Sequence, residues 1–316
     1  MDRLGVDLKF TLWTMDPSGG DLRPVSGKLA ALPKGSAGQP GWHPGGRWLV
    51  FQVHDPALKP IPGVGPAAQS HMTGPGGGVN NDLWLAEADG TRAWRLTDVG
   101  DWGGALHPHF SHDGKRLVWS ALRPGNGWSI AFAEFTPPAG DTPPRLGRVE
   151  HRTPGNMAFY EVHGFSPDDR EVLYCATPAK ADYWKLDIFA MDAASGSARR
   201  LTRDEEWDEH AHFSPDGEWI VWTTTRGIEQ PRSGMTPTTE YWAMRRDGGS
   251  ASRLTRFNRK GSPEHLDGRR ALPSDFDFSP DGDRIAAYVQ SFGSPGQAYR
   301  QDLVLLRIEW PAAGGR

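Results

Sequence analysis

A five-residue segment recurs along the chain, and it narrows the fold more than any other feature. It reads Phe110-Ser111-His112-Asp113-Gly114, Phe165-Ser166-Pro167-Asp168-Asp169, Phe213-Ser214-Pro215-Asp216-Gly217 and Phe278-Ser279-Pro280-Asp281-Gly282, with Trp42-His43-Pro44-Gly45-Gly46 as a degenerate fifth copy. Proline presets φ for the first corner, aspartate can bond the backbone ahead, and glycine accepts a positive φ, so each copy is a tight hairpin turn. Seven residues past the leading aromatic stand Leu49, Leu117, Val172, Ile220 and Ile285, and nine past it stand Phe51, Trp119, Tyr174, Trp222 and Ala287. This alternation, in register across the copies, belongs to strands that bury one face.

A second hairpin follows in most units: an apolar strand, a polar Gly turn and a short strand ending in Leu-Thr. Leu83-Trp84-Leu85-Ala86 leads to Asp89-Gly90 and Leu96-Thr97; Ile188-Phe189-Ala190-Met191 leads to Ser195-Gly196 and Leu201-Thr202; Tyr241-Trp242-Ala243-Met244 leads to Asp247-Gly248 and Leu254-Thr255. The unit is four antiparallel strands, a-b-c-d, which matches a propeller blade and not a helical repeat. The fold class is therefore all-β, a β-propeller of four-stranded antiparallel blades spanning residues 1–316 as a single domain. The chain opens on a c-d pair, Leu8 to Trp13 and then Pro17-Ser18-Gly19-Gly20, and closes on a c strand, Leu303 to Ile308. Joining these N- and C-terminal strands would close a propeller of five to six blades and cover its open edges.

Composition agrees. The 316 residues include 39 Gly and 27 Pro, too many helix-interrupting residues for a helical protein. A formal charge of -4 gives no basic footprint for phosphate backbones, so nucleic acid is not an expected partner. No stretch approaches the roughly 18 apolar residues of a spanning helix, so membrane insertion is not expected. Met1-Asp2-Arg3-Leu4 leads into no signal-peptide core; the chain as written reads as cytoplasmic, and as periplasmic if its natural start lies upstream. Cys175, the one cysteine, sits in Val172-Leu173-Tyr174-Cys175 and reads as a core thiol.

The Phe-Ser-Pro-Asp-Gly turn with downstream Asp-Gly and Leu-Thr resembles the PD40 (WD40-like) repeat of TolB-like propellers over nearly the whole chain. That resemblance implies a fold used for protein-binding scaffolds, for regulatory domains of prolyl-oligopeptidase-type enzymes, and occasionally for enzymes. No Gly-x-Ser-x-Gly elbow accompanies it here, so the hydrolase partner of such enzymes is absent from this sequence.

Connectivity orients the unit: a-b and c-d turns lie on one face, b-c and d-a loops on the other. Residues 55–81, a Gly/Pro-rich loop insertion, and residues 226–239 fall between b and c; residues 203–209 and 256–274 fall between d and the next a. Long loops on a rigid scaffold carry binding, which assigns function to the b-c and d-a face, although a solvated loop is an equal reading for 55–81.

Histidines gather just before the turn motif. His107 with His109, and His210 with His212, are His-x-His pairs on strand a, and Asp275 and Asp277 occupy the equivalent places in the fifth copy. Positions i and i+2 of a strand share a face and could hold one divalent metal such as Mn, Zn or Ca, if strands a line a central channel. Glu161 and His163 lie one register off, and Glu209 abuts His210. The run Asp204-Glu205-Glu206-Trp207-Asp208-Glu209 reads as a solvated loop at the channel mouth that could attract a cation. Arg269 and Arg270, in a d-a loop, could meet a carboxylate. Two functions fit these residues. One is a non-catalytic TolB-like scaffold that binds a protein, peptide or saccharide. The other is a metal-dependent enzyme similar in outline to oligogalacturonate lyases, which act by β-elimination on uronate saccharides; His107, His109, His210 and His212 would then be ligands, with His163 or an adjacent acid as base.

Overall fold

A computed structural model describes residues 9–178, 184–233, 236–266, 268–293 and 300–310. Met1–Leu4 and Leu8, on which the reading of the chain start rests, lie outside the described residues.

The protein is an all-β propeller of five antiparallel blades. Blade 1 comprises strands a Ala37–Trp42, b Trp48–His54, c Asn81–Glu87 and d Ala93–Arg95. Blade 2 comprises a Gly104–Phe110, b Arg116–Arg123 and c Gly127–Thr136, along which both Arg145–Leu146 and Glu150–Arg152 pair. Blade 3 comprises a Met157–Phe165, b Glu171–Pro178, c Asp187–Asp192 and d Ala198–Arg200. Blade 4 comprises a Asp208–Phe213, b Trp219–Thr224, c Glu240–Arg245 and d Ser252–Arg253. Blade 5 comprises a Arg270–Phe278, b Arg284–Phe292 and c Arg300–Arg307. Near the chain start the described pairing is shorter than expected and forms a sheet of its own, Trp13–Thr14 with Arg23–Pro24, while Arg300–Arg307 is the third strand of the last blade.

The chain divides into two compact units, residues 1–164 and 165–316. In the first, Val50, Leu83 and Leu85 of blade 1 pack against Leu117, Trp119 and Ala131 of blade 2, and Leu12, Val25 and Leu29 cover the other face of blade 1. In the second, Val221, Tyr241 and Ala243 of blade 4 pack against Phe276, Ile285 and Ala287 of blade 5. Both faces of strand b are buried in blades 1 and 4, so the sequence expectation of one buried face is corrected: Leu49 and Phe51 pack on one side of blade 1 and Val50 on the other. Cys175 is fully buried in strand b of blade 3.

The turn motif works through its serine as much as through the residues that the sequence singles out. Ser111 Oγ donates to Asp113 at 2.6 Å and accepts the Arg116 amide at 2.9 Å, while Asp113 accepts the Lys115 amide. Ser166, Ser214 and Ser279 repeat the arrangement with Asp168, Asp216 and Asp281. Gly114, Gly217 and Gly282 close their turns at φ between 71° and 74°. The Leu-Thr ending has an equally local cause. Thr97 donates to Asp82 and accepts the Leu83 amide; Thr255 does the same with Glu240 and the Tyr241 amide.

The 55–81 insertion has structure of its own. It contains the helix α1, Pro66–Thr73, with proline at its first turn. Asn80 fastens the segment, donating to the Lys59 carbonyl and accepting the Trp102 amide, and Lys59 pairs with Asp101 at 2.8 Å. The b-c insertion of blade 1 is therefore tied to the d-a connection that follows its strand d. No described helix is long and apolar enough to cross a membrane.

Candidate functional site

A β-bulge interrupts strand a at one place in blades 1, 2, 4 and 5, between Gly38 and Gly41, Leu106 and His109, Glu209 and His212, and Pro273 and Phe276. Three residues before the turn aromatic, the bulged position holds Gln39, His107, His210 and Asp275. Gln39, His107 and His210 take positive φ, between 49° and 52°, a conformation with a real cost for residues bearing a Cβ. A recurrent bulge re-aims one polar side chain per strand. The extra residue acts differently on the two His-x-His pairs: His210 and His212 meet different partners, while the rings of His107 and His109 stay near one another.

In the first unit the bulge brings together His107, His109, Glu161 and His163. His107 Nε2 lies 2.7 Å from Glu161 Oε1, and its ring stands edge-on to His163 at 5.6 Å and tilted to His109 at 6.2 Å. Glu161 and His163 are buried, and the His107 amide reaches the Gln39 side chain at 3.3 Å. Gln39 is a member of the set that the degenerate fifth copy of the motif concealed.

In the second unit His210 sits between two carboxylates, with Nε2 3.0 Å from Glu209 and Nδ1 3.2 Å from Asp275. Burial alone would lower its pKa, but Asp275 and Glu209 outweigh that cost and raise it well above 6.5. His212 turns elsewhere, edge-on to Phe276 at 4.9 Å. Asp277 is exposed and accepts the Phe278 amide. Arg270 opens strand a of blade 5 and lies over the Phe292 ring, with burial lowering its pKa, whereas Arg269 stays in the connection, its amide bonded to the Leu266 carbonyl.

The acidic run is solvated only in its first half, where Glu205 is exposed. Asp204 pairs with Arg226, Glu205 with Lys185 and Glu206 with Thr225, while Trp207, Asp208 and Glu209 are buried because strand a of blade 4 already begins at Asp208. Burial first, and then Asp204, push the Asp208 pKa up to about 7. Above the run lies a cleft of about 190 Å³ lined by Trp184, Lys185, Glu205, Glu206, Trp207, Thr225, Pro231 and Arg232. All of these residues belong to, or border, b-c and d-a connections of blades 3 and 4. Arg232 lies over the Trp184 ring at 5.1 Å.

Two solved structures superpose over most of the chain. A putative TolB from Agrobacterium tumefaciens gives a TM-score of 0.53 at 20% identity, covering 86% of this chain and 82% of that one. TolB from Acinetobacter baumannii gives 0.56 at 16% identity, covering 93% and 59%. The fold is that of a TolB-like propeller. No family model matches this sequence. An uncharacterized protein of Agrobacterium fabrum is 34% identical over 112 residues, 35% of this chain and 33% of that protein. The matches to curated relatives span a third or less of those relatives' length.

Proposed function

We propose that the TolB-like propeller is a non-catalytic binding scaffold that holds a protein, peptide or saccharide through its b-c and d-a connections. The observation that carries this reading is the cleft of the second unit, since connections alone build it on a rigid strand framework. Trp184 and Trp207 supply flat apolar faces, and Lys185, Arg232, Glu205 and Glu206 supply both signs of charge at its rim. Such a surface suits a sugar ring or a side chain stacked on indole with polar groups at its edge. The test is an array of oligosaccharides and peptides probed with the native protein, Trp184→Ala and Arg232→Ala. Ligands held by the native protein should lose about tenfold or more in affinity in these variants. Retention of every ligand by both variants would place binding elsewhere.

The imidazole–carboxylate clusters favour a second reading, a metal-dependent enzyme resembling oligogalacturonate lyases. A metal needs a lone pair on a neutral imidazole. Both ring nitrogens of His210 face carboxylates that favour its protonated form, so a metal there would have to displace a proton and one carboxylate contact. This is why the scaffold reading ranks first.

A further inference from the structure

The repeat itself exposes an anomaly in blade 4. Five residues before the turn aromatic, strand a buries an apolar pair with strand b: Ala37 faces Val53, Ala105 faces Ala121, and Pro273 faces Val289. In blade 4 the same pair is Asp208 facing Thr224. Asp208 is fully buried. A carboxylate at a position that the architecture otherwise fills with hydrocarbon costs stability unless something compensates it.

Two further carboxylates converge on it. Asp187, Asp204 and Asp208 each offer an oxygen, and the three lie within 4.8 Å of one another. Every one of them also has an oxygen held by a donor of the surrounding protein: Asp187 by Arg200, Asp204 by Arg226 Nε at 2.8 Å, and Asp208 by Trp222 Nε1 at 2.9 Å. The other oxygens are left over. Asp204 Oδ1 and Asp208 Oδ2 are buried without a hydrogen-bond partner among the described residues, and Asp187 Oδ1 has only Thr202 at 3.5 Å. An outer set of donors that fixes three carboxylates while leaving buried oxygens unsatisfied is the arrangement that orients metal ligands.

We propose that Asp187, Asp204 and Asp208 form a site for a hard divalent cation of the Ca2+ class. The donors are all oxygen, which disfavours soft ions. Ca2+ accepts irregular sets of carboxylate oxygens, whereas Mg2+ demands a near-ideal octahedron and keeps several of its waters, so three protein carboxylates in a buried pocket suit the larger ion. With all three carboxylates ionised, the guanidinium groups of Arg200 and Arg226 leave one net negative charge, and a cation must displace any proton held there. Bound there, the cation joins strand c of blade 3, the d-a connection and strand a of blade 4, next in sequence to Glu205, Glu206 and Trp207, which line the cleft. The site stands independently of the ligand reading above.

The test uses the full chain freed of metal by chelation and titrated with CaCl2 to about 1 mM, the range of weak extracellular calcium modules. Calorimetry should find one ion per chain, and the melting temperature should rise with calcium. Asp208→Asn keeps the Trp222 bond and should weaken uptake by about tenfold or more, and so should Asp204→Asn, whose side chain is partly exposed and whose fold is the safer control. Tb3+ used as a calcium probe should luminesce on excitation of Trp222 in the native protein and lose that signal in both variants. Absence of calcium uptake by the native chain, or full uptake retained by both variants, overturns the site.

Discussion

Single hydroxyls and single glycines hold the blades to their register. Ser214→Ala would strip the Trp219 amide of the oxygen it bonds at 3.0 Å inside a buried turn. A loss of about 1–3 kcal/mol is expected in urea denaturation. Gly114→Ala should cost about 1–2 kcal/mol through its positive φ alone. The added Cβ would also lie 2.7 Å from His43 Nε2. His210 gives a pH prediction. Its folded pKa is raised, so the stability it contributes is complete below 6.5 and is lost as pH rises through the folded value. Melting temperatures measured against pH should fall more steeply above neutrality for the native protein than for His210→Gln, which keeps a polar group between Glu209 and Asp275 but cannot titrate. Parallel curves would contradict the assignment. The sequence displayed the proline, aspartate and glycine of each turn because their roles are intrinsic to the residue. It concealed the serine and the Leu-Thr threonine, whose partners stand five and fourteen residues away.

At the scale of elements, strands a and b were legible because the same residue types recur in register after every turn, although strand b is buried on both faces in blades 1 to 4 and alternates only in blade 5. The bulge in strand a was not legible. A bulge keeps the residue types and changes only their direction, so the His-x-His spacing read as one shared face where the structure gives His210 and His212 different partners. A signal was available at Gln39, the polar residue at the same offset from Trp42. The 55–81 insertion misled in the opposite sense. Its glycines and prolines hid an eight-residue helix that Pro66 starts and Ala67-Ala68-Gln69 continues. Asn80, at φ 58°, fastens this insertion to the following connection. Asn80→Ala should lose both side-chain bonds, destabilise the protein by about 2 kcal/mol and speed proteolysis between residues 56 and 78. An unchanged cleavage rate would mean that the insertion is held by something other than this residue.

For the whole molecule, the repeat specified a TolB-like propeller because each blade needs the same turns and the same buried strands, but it left five and six blades open, and the structure has five. It specified function weakly, because the residues that differ among blades, His107, Glu161, His210, Asp275 and Asp208, act through partners far off in sequence. The carboxylates that face both ring nitrogens of His210 favour its protonated form over metal ligation. Elemental analysis of the purified full chain tests this most directly, with the native protein compared against His210→Ala. The account predicts no stoichiometric manganese, zinc or iron in either protein. One equivalent of such a metal in the native chain, lost in the variant, would contradict it and favour the enzyme.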